Sequence, residues 1–422
     1  MLARKYRPPA PPWVVPLVYS TTAISAGLLL PRIETRLFPG LSAGMSVSAA
    51  QAIYSSIASG MMALTGIVFS MAFVMVQFSA TAYSPRLVVW MATDRLMSHA
   101  MGVFSATFIY AIAALAWVGR HESTEVPFVS TWIVVGLLIA SVWMFAGLVG
   151  RLTRLQVNRM LSFTGDQGRG VIDELFPQLL AGEPLAAVDD RATLPVTQVL
   201  VHHGRPRTVQ AHDTHGLLRA AIDANGVIEV AATVGDTLVE QTPLLRLLGG
   251  HRISDHRLHS CFVLGRERTF AQDPKYALRL LVDIAIRALS PAVNDPTTAV
   301  QALDQVQDLL LRLGLRSLEI GTLTDSSGAV RVVIPLPTWE DYVTLGLEEI
   351  RQYGAGSMQV MRRMRALVAD LIAALPEERQ GLLRHYEERL RSTVDHAFAD
   401  VEDRQQASVM DRQGIGVSHA PR

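Results

Sequence analysis

The sequence predicts an α+β protein, mainly α: a four-helix transmembrane domain followed by a cytoplasmic domain with a small β-rich module and a helical C-terminal region. Three observations carry this reading. Charge is partitioned, since residues 1–150 hold only 8 basic and 4 acidic side chains while 30 basic and 34 acidic ones follow. Within that first part lie uncharged stretches of 24, 49, 24 and 25 residues, and a helix needs about 20 residues to cross the hydrocarbon core. After it, short period-2 runs give way to apolar stripes of helical spacing. The 422 residues carry no formal net charge, which with this partition argues against a fully soluble enzyme, a disordered chain or a nucleic-acid binder with a large basic surface.

The transmembrane domain, residues 1–150, has spans at about 13–31, 50–80, 97–118 and 129–150. The second stretch is long enough for two crossings, but Pro39-Gly40-Leu41-Ser42-Ala43-Gly44 reads as a turn-rich lead-in to one long helix from Ser48 to Ala82. Arginine and lysine in short loops stay on the cytoplasmic side. With both termini inside, Arg4, Lys5, Arg7, Arg86, Arg95, Arg151, Arg154 and Arg159 flank the inner face, against Arg32, Arg36 and Arg120 outside. Trp13, Trp90, Trp117 and Trp132 fall near span ends, at headgroup level. A cleaved signal peptide is the alternative for the first span, but no A-x-A site ends its long apolar run.

On the second span, Ser48, Ser55, Ser59, Gly66, Ser70, Gln77 and Ser84 project within a sector about 60° wide at 100° per residue. Lipid cannot satisfy hydroxyl or amide groups, so this face should meet protein or water. Close helix packing is the plain reading, because small residues let backbones approach. A pore lined by the same helix from several subunits is the sharper one. His99, near an end of the third span, reads as interfacial rather than as a proton relay.

Residues 151–195 read as a helical stalk and linker: helical spacing continues to Leu161, Gly165-Asp166-Gln167-Gly168 breaks it, and a second helical stretch runs from Val171 to Leu180. Residues 196–265 form the β-rich module, with runs at Val196 to His202, Thr208 to Ala211 and Val227 to Ala232, punctuated by Asn225-Gly226 and Gly235-Asp236. Its Gly226 to Leu245 segment resembles small barrel modules with a Gly-Asp turn, and no activity is carried over from that. His202, His203, His212, His215, His251, His256 and His259 cluster here without the tight spacing of a zinc site, so surface or turn histidines are expected and no metal. The single cysteine, Cys261, is expected to pack in a core.

Residues 266–404 are the helical cytoplasmic domain. Asp273-Pro274 and Asp295-Pro296 each place an acidic cap before a proline in a first helical turn. In the first helix Ala277, Leu280, Leu281, Ile284, Ala285 and Ala288 form a stripe, with Arg279, Asp283 and Arg287 as an ion-pair ladder. In the second, Ala299, Leu303, Val306 and Leu310 face inward, and residues 290–295 make the tight connection. A strand at Val330 to Leu336 and helices at about Glu340 to Tyr353, Ser357 to Leu375 and Glu377 to Arg404 follow, and residues 405–422 read as a disordered tail.

These motifs resemble a family of bacterial membrane proteins of unknown function (domain of unknown function family 2254). Residues 287–299 (RALSPAVNDPTTA) match its signature, and Gly66 to Arg86, Trp339-Glu340-Asp341 and Ile350-Arg351-Gln352-Tyr353-Gly354-Ala355 match its other blocks. The sequence departs from it at Arg207-Thr208, where a turn with glycine followed by an aromatic residue is expected. The resemblance implies an architecture and a bacterial inner-membrane address, and no catalytic residues.

Three functions are weighed on this footing. The first is a homo-oligomeric channel or transport-related protein, with Ser55, Ser59, Gly66, Ser70 and Gln77 around an axis and the cytoplasmic part as assembly and gating module. The second is a membrane-anchored sensor or scaffold that binds a cytoplasmic partner or small ligand. The third, a membrane-bound enzyme using the signature-loop residues Ser290, Asn294, Asp295 and Thr297 near Arg279, Asp283 and Arg287, ranks last, because helix capping explains that loop and no G-x-S-x-G elbow, P-loop, Rossmann fingerprint or metal signature is present. No cofactor and no nucleic-acid partner are expected.

Overall fold

The computed structural model describes residues 13–38, 40, 42–82, 95–120, 126–152, 157–180 and 193–416. It is mainly helical, and its described residues divide into two compact units, one up to residue 152 and one from residue 157 onward. In the first unit α1 (Val14–Leu37), α2 (Val47–Ala82), α3 (Arg95–Arg120) and α4 (Phe128–Leu152) are long and apolar enough to cross a membrane. The central helix is α3: its most apolar window is 50% buried within the chain, against 17–22% for the other three. Small residues permit this, since a Cβ on Gly27 would stand 2.6 Å from that of Ala113 and one on Gly102 would stand 2.9 Å from the Tyr19 ring. Several polar groups inside the bundle find partners: Tyr54 and Thr131 hydroxyls meet at 2.7 Å, Thr107 and Ser141 at 2.9 Å, and Tyr19 reaches His99 Nδ1 at 3.2 Å. The buried Glu34 carboxylate accepts the backbone N–H groups of Val129 (2.7 Å) and Ser130 (3.3 Å), so α1 caps the start of α4.

The second unit opens with α5 (Val157–Leu175), which corrects the expected stalk twice. Gly165-Asp166-Gln167-Gly168 does not break the helix, and α5 is packed rather than free. It lies against α8 (Pro274–Ala288) and α9 (Pro296–Gly314), and a Cβ at Gly168 would meet the Leu309 methyls at 2.7 Å and the Ala277 Cβ at 3.0 Å. These glycines are contact residues that let helices close up. Residues 153–156, where the expected stalk would begin, and 181–192, most of the expected linker, lie outside the described residues.

Next come β1 (Val196–Val201), β2 (Arg207–His212), α6 (Thr214–Asp223), β3 (Val227–Val230), β4 (Thr237–Leu238), β5 (Pro243–Leu248), α7 (Asp255–His259) and β6 (Phe262–Gly265). Beyond α8 and α9 lie β7 (Thr322–Thr324) and β8 (Val330–Val333). One sheet runs β1-β5-β3-β8-β7 and the other β4-β2-β6. The boundary drawn at 265 therefore fails, because β8 pairs parallel to β3 with Ile228 opposite Val332. Both residues are fully buried, in one core with Leu217, Ala220 and Ala221 of α6 and Leu244, Leu245 and Leu247 of β5. The Gly226 to Leu245 segment is split between the two sheets rather than forming one small barrel. Arg207-Thr208 is no turn but the start of β2, opposite Leu238 and Thr237; the turn before it contains Gly204 at φ +107°. Cys261 is buried, and burial is the main cause of its thiol's raised pKa.

The chain ends with α10 (Trp339–Tyr353), α11 (Met358–Ala374), α12 (Glu377–Ala397) and α13 (Val401–Ala407). A capping box starts α10: Asp341 N–H donates to the Thr338 hydroxyl at 3.2 Å and Asp341 Oδ2 accepts from Thr338 N–H at 2.8 Å. The single helix expected over Glu377 to Arg404 is two, because Asp400 accepts from Glu402 N–H (2.8 Å) and Asp403 N–H (3.2 Å) and begins a new one. The expected disordered tail is ordered through residue 416: Ala407 is fully buried, Arg412 pairs with Asp370 at 2.8 Å, and Arg362 donates to the carbonyl of Gln406 at 2.6 Å. Residues 417–422 lie outside the described residues.

Candidate functional site

The first candidate is the polar face of α2. Among the described residues Ala50, Tyr54, Ala58, Met61 and Val68 are those that α2 buries within its own unit. Ser55, Ser59, Gly66, Ser70 and Gln77 are all exposed on the single chain, turned about 130° away from that buried row at 100° per residue. Nothing lies within 4 Å of a Cβ placed on Gly66. A shallow groove lined by Ala63, Gly66, Ile67, Ser70, Met71 and Val74 runs along this helix. From Ser55 to Gln77 the face spans about 33 Å at 1.5 Å per residue, close to the thickness of a hydrocarbon core. Phe73, 63% exposed, is the large side chain in the same sector. Residues 83–94, with Ser84, Arg86 and Trp90, lie outside the described residues.

The second candidate, the signature turn, is built from backbone requirements. Asp295 caps α9, accepting Thr298 N–H at 3.1 Å, while its own N–H donates to the Ala288 carbonyl at 2.8 Å. Asn294 sits at φ +47°, a left-handed conformation that asparagine tolerates better than most residues. Its N–H donates to the Ser290 carbonyl at 2.9 Å, and the Ser290 hydroxyl donates to the Arg287 carbonyl at 2.7 Å. Thr297 is exposed and Arg287 half-buried. The capping alone stabilises by roughly 1 kcal/mol. Of the expected ladder, Arg279 pairs with Asp283 (Nε to Oδ1, 2.7 Å) and with Glu349 of α10, which hold its guanidinium pKa above the ordinary value; the Glu349 bond is the larger cause.

The third candidate is one that local sequence pattern does not reveal. A partly open cleft lies where the ends of α5, β2 and β8 and the starts of α8 and α10 converge, with about 70 Å³ open to the centre of a water molecule. Val234, Ile320, Ile334 and Leu336 form much of its wall; His212, Gln272, Asp273, Lys275 and Tyr342 are its strongly polar residues. His212 is buried, and desolvation pulls its imidazole down to about 4, so it is neutral near pH 7. Its Nε2 lies 3.0 Å from the Ala232 carbonyl, which can only accept, so that nitrogen carries the proton. The Gln272 amide, at φ +54°, continues β2 by bonding both the N–H (3.0 Å) and the carbonyl (3.2 Å) of His212.

Asp273, 1% exposed, caps α8 by accepting Tyr276 N–H at 3.1 Å and is held in a fork by Arg268, with Nε to Oδ2 and Nη2 to Oδ1 both at 3.0 Å. Burial raises its pKa, and Arg268 opposes the rise. Tyr342 is fully buried, and its hydroxyl has no hydrogen-bond partner. Desolvation, with the Asp273 carboxylate second, keeps that hydroxyl protonated by pushing its pKa up. Tyr342 directly follows the Trp339-Glu340-Asp341 block, and nothing in that spacing signalled a cavity. Of the other histidines, His202 Nε2 lies 3.0 Å from the Arg205 carbonyl and His203 pairs with Glu240 at 2.8 Å. Among the described residues no three His, Cys, Asp or Glu side chains are grouped to hold a metal ion.

Comparison with known proteins gives the architecture a family. The family described as "Predicted membrane protein (DUF2254)" matches residues 11–370. The chain belongs to that family. Among similar proteins, the uncharacterized protein Mb1321c of Mycobacterium bovis is 24% identical over 377 residues, covering 83% of this chain and 68% of its own. The uncharacterized protein MT1328 of Mycobacterium tuberculosis is 26% identical over 368 residues, with the same coverage of both chains. No solved structure matches. The DUF2254 match includes the polar face of α2, the signature turn and every residue of the cleft; it stops inside α11, before α12 and α13.

Proposed function

We propose that this DUF2254 protein is the subunit of a homo-oligomeric channel or transport-related assembly in a bacterial inner membrane. In it the α2 helices of several copies turn their serine faces toward a shared axis, and residues 157–422 form a cytoplasmic assembly and gating body. The observation that carries the reading is the exposure of Ser55, Ser59, Gly66, Ser70 and Gln77 on a helix apolar enough to span lipid. Hydroxyl and amide groups along the whole hydrocarbon thickness favour water or protein over acyl chains. The face carries no Asp, Glu, Lys or Arg, so a conduit built from it selects weakly by charge. A ring of Phe73 side chains supplies a hydrophobic constriction that closes by dewetting. With both termini inside, the excess of basic residues lies on the cytoplasmic side. On this reading the signature turn is structural and the chain is not an enzyme.

The test is efflux of potassium and glycerol from liposomes holding the purified full chain. The wild type should leak above empty vesicles, Ser70→Trp should reduce the flux, and Phe73→Ala should raise it. A Ser59→Cys variant should cross-link between copies on oxidation. Background-level efflux from all three proteins removes the conduit. Absence of the Ser59→Cys dimer removes the axis. A second reading, a membrane-anchored sensor or scaffold for a cytoplasmic ligand or partner, is favoured by the cleft around Tyr342.

A further inference from the structure

A buried hydroxyl without a partner forfeits its hydration and gains nothing in return, so a fully buried tyrosine normally finds an acceptor. Tyr342 does not, although Asp273 and Lys275 line the same cleft. Replacing it by phenylalanine would remove the polar atom and keep the ring, so packing alone gives no reason for the hydroxyl. The charges of the lining point the same way. Asp273 is neutralised by the Arg268 fork, and the His212 ring is neutral. Lys275 lines the same cleft and acts electrostatically on that Asp273 as well, so two cations face one carboxylate and one positive charge is left over. Around these donors the wall is apolar, formed by Val234, Ile320, Ile334 and Leu336. The space of about 70 Å³ suits a compact solute rather than a cofactor or a peptide.

We propose that the cleft is a binding site for a small organic acid, whose carboxylate accepts from the Tyr342 hydroxyl and the Lys275 ammonium while its short hydrocarbon body lies against Ile320, Ile334 and Leu336. The proposal deepens the sensor reading and is independent of conduction by α2. The lining comes from five helices and strands that are distant in sequence, so occupancy couples the β-rich sheets to the helical layer. A bound acid orders the junction of β8, α8 and α10.

The experiment is calorimetric titration of the full chain in lipid nanodiscs with butyrate, butyramide and butylamine. Butyrate should bind at least about tenfold more tightly than the other two, because only it carries a negative charge for the Lys275 ammonium while accepting from the Tyr342 hydroxyl. Tyr342→Phe should lower butyrate affinity about tenfold while leaving the ligand-free melting temperature unchanged or higher, since the deleted atom had no partner. Lys275→Met should weaken butyrate and leave butyramide as it was. Equal binding of butyrate and butyramide overturns the acid while keeping a ligand in the cleft. Binding unaffected by Tyr342→Phe places the ligand elsewhere and overturns the site. No binding of any of the three overturns the inference and removes the support that the cleft lends to the sensor reading.

Discussion

Burial of one imidazole sets an acid limit on the β-rich region. His212 is 4% exposed, and desolvation pulls its pKa from 6.5 to about 4, against the opposing pull of the Ala232 carbonyl and Asp236. Above pH 6.5 neither the folded nor the unfolded chain protonates this ring. Between 6.5 and 4 only the unfolded chain does, so stability falls with pH across that window, by as much as about 3 kcal/mol in total. Glu348 acts later. Burial works against its ionisation, but bonds from Arg351, Gln352 and Arg389 prevail and bring it down to about 2, so its contribution is lost only below about pH 4.5. Melting temperatures of the full chain measured from pH 7.5 to 4.5 should therefore drop, and His212→Gln, which keeps a donor for Ala232, should flatten that drop. A wild-type profile that is level down to pH 4.5 would contradict the buried neutral ring.

At the scale of elements, glycine carried opposite meanings in one helix. In the sequence Gly165-Asp166-Gln167-Gly168 has the pattern of a helix breaker, because glycine disfavours helix by about 1 kcal/mol relative to alanine. The helix survives because Gly168 lets α5 approach α8 and α9, and that contact cannot be read from residues near Gly168 in the chain. Gly170, about half a turn further on, is exposed, and a Cβ there would meet nothing within 4 Å. Gly170→Ala should thus stabilise by up to about 1 kcal/mol. Gly168→Ala should destabilise: the propensity gain is outweighed by overpacking of about 1–3 kcal/mol, since the Ala277 Cβ cannot rotate away and Leu309 is fully buried. Opposite shifts in melting temperature for the two variants would bear this out, and equal shifts would refute it. Caps and stripes were legible for the opposite reason, being local: Asp273, Asp295 and Ser357 accept from the third residue on, and Leu280, Leu281, Ile284, Leu303, Val306 and Leu310 are all buried.

For the whole molecule, the four apolar spans could be read because lipid imposes length and composition on each helix separately. The polar face of α2 was likewise legible as a periodicity, though not its exposure on the single chain. The sheets and the cleft were not legible, because both arise from pairing across the chain: β8 meets β3 about a hundred residues away, and Tyr342 meets Asp273 through that closure. A module bounded at 196–265 would lose the strand that covers Ile228, together with Val332 and Ile334 of the common core. Burying a side chain of that size contributes about 1.5–3 kcal/mol, so the loss is comparable to the entire stability of a small domain. A 196–265 fragment should therefore show poor amide dispersion and no cooperative melt, whereas 157–422, which keeps α5, both sheets and all later helices, should melt cooperatively. A sharp transition in the short fragment would mean that its two sheets close without β8, and the parallel β3–β8 pair would then be a docking contact between two bodies instead of part of one core.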